Sequence, residues 1–232
     1  MPRLACLLIA FAALTLSSPI GYQVWTLDSS GFHFGHLAAK SSLVPLRQEG
    51  DLDGNGLSDS LLLENGHLNI WSRSKNLWSS PSSWNVLQAL IADLNHDGML
   101  EAVLLVTRQF QPWPVDVWLP NGGRIDGFRD SRGFSSHIIL IGWDGESFRE
   151  LWAGSAMAEP AKQITVARLD GYGDVLVSLE GRYGDTVARP ARKVKLWEWN
   201  GFGFSLVSSM DGNFRRMEIH ENRMAQYLIL FR

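Results

Sequence analysis

The stretch Asp51-Leu-Asp-Gly-Asn-Gly-Leu-Ser-Asp59, followed at once by Ser60-Leu-Leu-Leu63, constrains this chain more than any other. Oxygen-bearing side chains occupy relative positions 1, 3, 5 and 9, namely Asp51, Asp53, Asn55 and Asp59. Gly54 and Gly56 between them permit the tight turns that aim those oxygens at one centre. A hard cation such as Ca²⁺ takes six to eight oxygens at about 2.3–2.6 Å, and the Leu57 carbonyl is a natural addition to the set. The same spacing recurs at Asp93-Leu-Asn-His-Asp-Gly-Met-Leu-Glu101, ahead of Ala102-Val-Leu-Leu-Val106. There the candidate ligands are Asp93, Asn95, Asp97 and Glu101. Two oxygen-rich loops, each leading into strand-forming residues, predict a repeat protein built around metal at its turns.

An EF-hand is excluded. Its loop needs a bidentate Glu at position 12 and a helix on each side, whereas position 12 here is Leu62 in one loop and Leu104 in the other. The plainer alternative is a pair of Asp/Asn/Gly turns that bind nothing, since those residues form turns on their own. Four oxygen donors in the same register, twice, favour the metal, in a structural rather than catalytic role. His96 lies at an even position of the second loop and is expected to point outward into solvent.

A second signature interleaves with the loops: an alternating strand ending in an aromatic, a polar turn, then a short aromatic strand. It reads Val24-Trp-Thr-Leu-Asp-Ser-Ser-Gly-Phe-His-Phe34, then Leu68-Asn-Ile-Trp71 with Leu77-Trp78, then Ile139-Leu-Ile-Gly-Trp-Asp-Gly-Glu-Ser-Phe148 with Leu151-Trp152, and finally Val194-Lys-Leu-Trp-Glu-Trp-Asn-Gly-Phe-Gly-Phe204. Each copy reads as a hairpin. Loops and hairpins together predict four-stranded sheets. The first takes Leu43 to Glu49, the Asp51 loop, Leu61 to Leu63 and the Trp71 hairpin. The second takes Val86 to Ala92, the Asp93 loop, Val103 to Thr107 and the Trp143 hairpin. The third takes Ile164 to Ala167, a damaged loop, Val175 to Leu179 and the Trp199 hairpin. That loop, Arg168-Leu-Asp-Gly-Tyr-Gly-Asp174, has Arg at position 1 and lacks two residues, so no metal is expected in it.

The termini complete the pattern. Phe214 to Ile219 and Tyr227 to Phe231 are two strands without a following hairpin, and Val24 to Phe34 is a hairpin without preceding strands. Paired, they make a fourth sheet, and closure by both ends removes free edges. The expected fold is all-β: a small propeller of four blades, each of four antiparallel strands, with the N- and C-terminal strands joined in one blade. Trp25, Trp71, Trp143, Trp197 and Trp199 are expected to pack between blades.

Residues 1–20 form a separate segment. Met1-Pro-Arg3 is positive, Leu4 to Leu16 is an apolar run of thirteen residues, and small residues follow. This reads as a signal peptide or an N-terminal membrane anchor, because about 20 apolar residues are needed to span a bilayer. It predicts a secreted, periplasmic or cell-surface location. The only cysteine, Cys6, lies within it, so the 21–232 domain has no disulfide. A formal net charge of -3 gives no footprint for nucleic acid and no polybasic membrane patch.

One long interruption, 109–136, divides the second and third strands of blade two. Trp113, Trp118, Phe128, Arg129 and Arg132 within it are unexplained by the repeat and are candidates for partner contact.

The two loops, each followed by apolar β residues, resemble FG-GAP/VCBS-type repeats, the calcium-loop blades of integrin α-subunit propellers and many secreted bacterial proteins. The resemblance implies that Asp51, Asp53, Asn55, Asp59, Asp93, Asn95, Asp97 and Glu101 are Ca²⁺ ligands. It further implies export and surface contact. The expected function is an interaction module for protein or polysaccharide. The alternative is a carbohydrate-active lyase or hydrolase with its site at the propeller channel, although no Gly-x-Ser-x-Gly, His-Glu-x-x-His, Walker or Rossmann motif occurs.

Overall fold

The apolar runs Ala102 to Val106 and Ile138 to Ile141 are continuous rather than alternating, so a sheet containing them must be covered on both faces. The computed structural model, which describes residues 21–36, 42–43, 48–111, 127–223 and 225–232, satisfies this by stacking sheets radially. Among these residues every regular element is a strand. The amino-terminal part gives β1 (Tyr22–Asp28), β2 (Gly31–Phe34) and β3 (Ser42–Leu43). Blade 1 follows with β4 (Glu49–Gly50), β5 (Asp59–Glu64), β6 (His67–Ser72) and β7 (Lys75–Ser79). Blade 2 holds β8 (Trp84–Ala92), β9 (Glu101–Gln109), β10 (Phe134–Trp143) and β11 (Phe148–Ala153). Blade 3 holds β12 (Ala161–Leu169), β13 (Gly173–Glu180), β14 (Ala191–Trp199) and β15 (Phe204–Phe214), and the chain ends with β16 (Arg216–Glu221) and β17 (Gln226–Phe231).

Blades 1 to 3 are antiparallel meanders in sequence order, and blade 4 is assembled from both ends in the order β2-β1-β17-β16-β3. The closing ladder runs from Tyr22↔Phe231 to Thr26↔Tyr227. The four-bladed, terminally closed β-propeller expected from the repeats is therefore the fold.

Alternation survives inside the apolar runs, but its two faces bury against different neighbours. Ile139 and Ile141 of β10 pack with Leu52, Leu61, Leu68 and Ile70 of blade 1. Leu140, between them, packs with Ile164 and Leu176 of blade 3. A third cluster joins Val175, Val177 and Leu196 of blade 3 to Met217, Leu228 and Leu230 of blade 4. Each fully buried aliphatic side chain contributes about 1.5–3 kcal/mol. Of the tryptophans expected at these seams, Trp25, Trp143, Trp197 and Trp199 pack against the clusters, and Trp71 does not. Trp152 of β11 meets Trp199 at 5.9 Å and Phe204 at 5.1 Å, both edge to face, tying blade 2 to blade 3.

Two boundaries differ from the sequence reading. Leu43 to Glu49 is not one strand of blade 1: Ser42–Leu43 pairs with β16 as a fifth strand of blade 4, and only Glu49–Gly50 pairs with β5. Two adjacent extended stretches carry no residue signal that says which sheet each joins. The interruption in blade 2 is also narrower than 109–136, since β9 and β10 stay paired out to Gln109↔Phe134. Trp113 and Trp118 lie outside the described residues, as does the 1–20 segment.

The inner strands are joined by a device that the sequence did not announce. The Gln88 amide donates to the Ile164 carbonyl (2.7 Å) and accepts from the Ile164 N–H (2.9 Å). Gln163 does the same to Met217, at 2.8 and 2.9 Å, and Gln48 donates to the Ala89 carbonyl at 3.1 Å. A β-bulge before each of Gln88 and Gln163 shifts the register and aims the amide at the next blade. These side chains extend backbone pairing from blade to blade across gaps that the strands do not bridge themselves. The corresponding position of blade 4 is Arg216, which pairs with Glu218 at 2.8 Å and stacks on Phe231.

One buried polar pair titrates. His137 Nδ1 donates to the Gly154 carbonyl at 2.9 Å, which leaves Nε2 to accept from the Ser135 hydroxyl at 2.7 Å. Burial holds its pKa down at about 4.

Replacing Gln163 by Leu leaves the buried Met217 N–H and C=O without partners, and urea unfolding should register a loss of about 2–4 kcal/mol. The pH dependence follows from His137, whose folded pKa lies below its usual 6.5. The stability it contributes is complete above pH 6.5 and is lost as pH falls through about 4, amounting to about 3 kcal/mol at most. The urea midpoint of the wild type should therefore fall more between pH 7 and pH 4 than that of His137→Gln, with a difference in unfolding free energy of up to this amount.

Candidate metal centres

Each acidic loop joins the inner strand of its blade to the second strand. Gly50↔Asp59 and Ala92↔Glu101 close the two loops, residues 51–58 and 93–100, eight each. The backbone turns by left-handed steps at Gly54 (φ 73) and Gly56 (φ 82) in the first, and at His96 (φ 61) and Gly98 (φ 88) in the second. Glycine adopts these angles without a steric penalty. His96 needs support, and it has it: Nε2 donates to the Asp174 carbonyl of blade 3 at 2.8 Å. The expectation of a merely solvated His96 is thus corrected, because its ring is exposed but anchored across a blade seam.

The loops share one internal wiring. The carboxylate at position 1 accepts from the N–H at position 6, as Gly56 to Asp51 (2.8 Å) and Gly98 to Asp93 (3.2 Å). Positions 3 and 5 pair an amide with a carboxylate in opposite order. Asn55 donates to Asp53 at 2.8 Å, and Asn95 donates to Asp97 at 3.0 Å. Position 9 is fully buried in both loops, as Asp59 and Glu101. One oxygen of each accepts a backbone N–H within its own loop, from Leu52 and Leu94 respectively, both at 3.0 Å.

The other oxygen has nothing. Asp59 Oδ1, Glu101 Oε1 and also Asp93 Oδ1 are buried without any hydrogen-bond partner. Carboxylate oxygens of Asp51, Asp53 and Asp59 lie within 4.8 Å of one another, as do those of Asp93, Asp97 and Glu101. Without a cation, burial together with the charges of Asp97 and Asp93 raises the Glu101 pKa to about 8. Isolated buried carboxylates are costly unless paired or bound to metal. Three converging carboxylates with an unpartnered buried oxygen, in a hard all-oxygen donor set, fit a Ca²⁺-type ion. Six of the eight sequence-predicted ligands lie in these two loops, and Asp59 and Glu101 open the strands that follow.

Blades 3 and 4 carry a polar residue one ladder step nearer the turn than Asp59 and Glu101, opposite Arg168 and Glu221 rather than opposite the residue before the loop. Asp174, paired with Arg168 in the strand register, receives the Arg168 guanidinium at 2.9 Å on Oδ1 and the Asp93 N–H at 3.2 Å on Oδ2. In blade 4 the position is Gln226, whose Oε1 accepts the Arg168 N–H at 2.8 Å. At the register of Glu101, opposite Ala167, blade 3 has the buried Val175, so no carboxylate stands there. The damaged loop is also shorter than its spacing suggested, because the ladder continues to Leu169↔Gly173 and leaves only residues 169–173 beyond the Arg168↔Asp174 pair.

Of the candidate contact residues, Arg132 is held by Asp130 at 3.1 Å and lies over Phe134, while Arg129 lies over Phe110. Phe128 is half-buried nearby in sequence. No family model matches the chain, and no curated protein matches it. A solved structure described as BBS1N in complex with ARL6DN, soaked with lead, is similar over 90% of this chain and 81% of its own. Its identity of 12% and TM-score of 0.29 are too low to carry any argument.

Replacing Arg168 by Ala strands a buried oxygen of Asp174. Denaturant unfolding should show a loss of about 1–3 kcal/mol, against less than about 0.5 kcal/mol for Arg149→Ala, which breaks only a surface pair.

Proposed function

We propose that this chain is an exported, calcium-stabilised β-propeller of FG-GAP/VCBS type that serves as an interaction module for a protein or polysaccharide. The observation that carries the calcium reading is the unpartnered buried oxygen of Asp59 and of Glu101, set among converging carboxylates in two identically wired loops. Asp51, Asp53, Asn55 and Asp59 would hold one ion. Asp93, Asn95, Asp97 and Glu101 would hold the other. Each ion would neutralise a loop of three carboxylates and lock the turn between the first two strands of its blade.

The internal comparison with blade 3 supports this. There, the buried register position of Glu101 is held by Val175, and the nearby Asp174 already has Arg168 beside it, so the blade has no comparable need for a free cation. Export is supported by the positive, apolar and small-residue pattern of residues 1–20. A role in recognition is supported by the architecture, since propeller blades are a rigid support for variable connecting loops.

The test is thermal and calorimetric. Calcium at 100-fold over Kd should add about 2.7 kcal/mol per site to the stability of the full chain, raising the melting temperature relative to chelator. Titration calorimetry should count two ions per chain. Asp59→Asn or Glu101→Gln alone should reduce the count to one, and the pair together should abolish both binding and the thermal shift. Equal melting in calcium and chelator would overturn the proposal.

A further inference from the structure

At the opposite ends of the strands from the acidic loops, a cavity of about 870 Å³ opens between the beginnings of the inner strands of blades 2, 3 and 4. It is walled by Leu87, Phe134, Pro160, Val187, Pro190 and Phe214, and so is largely apolar. Two of these residues are conspicuously bare: Leu87 is 48% exposed and Val187 fully exposed at 102%. Exposed aliphatic side chains around a concavity mark a ligand site more often than chance decoration.

The charges are one-sided. Arg132, Lys162, Arg182, Arg189 and Arg215 line the cavity, against only Asp130 and Asp185. Both carboxylates are already neutralised. Asp130 holds Arg132, and Asp185 takes both nitrogens of the Arg192 fork at 3.0 and 3.1 Å with Arg189 at 3.5 Å. Lys162 is occupied by the carbonyls of Thr186 and Arg189 at 3.1 and 2.6 Å. Among the described residues, Arg182 and Arg215 have no acidic partner. On a chain of formal net charge -3, this local positive excess is specific to the cavity.

The wall is also built in advance. Asp185, only 5% exposed, accepts the Arg182 N–H at 3.0 Å and so fixes the loop that displays Val187. The Tyr183 hydroxyl donates to the Met157 carbonyl and accepts from the Ser136 N–H, at 2.7 and 3.1 Å, closing the cavity floor onto blade 2. A preformed, mainly apolar concavity within the range of about 300–1,000 Å³, with a few placed polar groups, is what small-molecule sites look like.

We propose that this cavity binds a small amphipathic anion, whose carboxylate or sulfonate-type head is held by Arg182 and Arg215 and whose apolar body lies against Leu87, Phe134, Phe214 and Val187. Calcium in the acidic loops would make no contact with the site, since Leu87 and Asp93 are six residues, about 20 Å, apart along β8.

The probe is 1-anilinonaphthalene-8-sulfonate, titrated by fluorescence into the folded full chain, with the uncharged N-phenyl-1-naphthylamine as its neutral counterpart. The sulfonate dye should bind at one site, weaken with rising salt, and be displaced by decanoate. Arg182→Ala with Arg215→Ala should weaken it about tenfold through loss of charge-assisted hydrogen bonds while leaving the neutral dye unaffected. Both arginines are exposed and lack acidic partners, so circular dichroism and melting temperature should not change. Val187→Asp should also weaken the sulfonate dye, and Arg149→Ala, on the other face, should not. Equal affinity for the neutral dye, or undiminished sulfonate binding in the double arginine variant, would overturn the proposal.

Discussion

The antiparallel ladder between Tyr22–Thr26 and Tyr227–Phe231 is the constraint on which the rest of the molecule depends. Four twisted sheets set around an axis bury both faces of each sheet only if the ring is shut, and an open ring would expose the edge of β17 to any passing strand. The ladder joins residues some 200 positions apart and so carries an entropic cost of loop closure. Once it is made, the three seams and the Gln88 and Gln163 clamps hold the blades at fixed angles. Their register follows from backbone pairing rather than from side-chain packing alone. The amide clamps matter because apolar seams are permissive about sliding, whereas a two-point bond to one residue is not.

Each blade has a polar residue near the start of its second strand, though not at the same ladder step, and the four are satisfied in three ways. Gln226 is neutral and meets a backbone N–H. Asp174 carries charge and meets a guanidinium. Asp59 and Glu101 carry charge and have one oxygen with no partner at all. Because an unpaired buried carboxylate costs several kcal/mol, the last two blades are intelligible only with a cation or a proton supplied from outside. The elongated loops in those two blades, and the three-residue turn between Leu169 and Gly173 in blade 3, follow the same division. A loop needs extra length only where it must wrap around something.

The sequence was most informative where a position is fixed by backbone geometry. The glycine spacing around Asp53 and Asp97 and the aromatic hairpins around Trp143 and Trp199 are local signals, and both were legible. So was closure by the termini, because unpaired half-blades at both ends admit one economical partner. What could not be read depends on contacts between distant segments. Ser42–Leu43 joins blade 4 through a two-residue bridge that no periodicity marks. Gln88 and Gln163 are ordinary polar residues until a bulge turns each toward its neighbour. His96 looked solvated because its acceptor, the Asp174 carbonyl, lies 78 residues further along the chain. The recurrence of Gln one residue before Ala89, Ile164 and Glu49 on successive inner strands was present in the chain, but only the blade alignment gives it meaning.

The two faces of the propeller differ in charge. On one face, oxygen-rich loops concentrate negative charge on buried carboxylates. On the other, arginine and lysine surround an apolar concavity whose only two acids are already spent on arginines. Such a separation is not required for solubility, which a mixed surface would serve better. It does fit a molecule in which one set of turns is fixed by cations while the opposite set meets an anion. The inner strands connect the two, since β8 carries Leu87 of the cavity near its start and leads directly into Asp93 at its end. A tightened turn at Asp93 would therefore brace the same strand whose bulge, at Leu87 and Gln88, shapes the cavity wall and clamps blade 3.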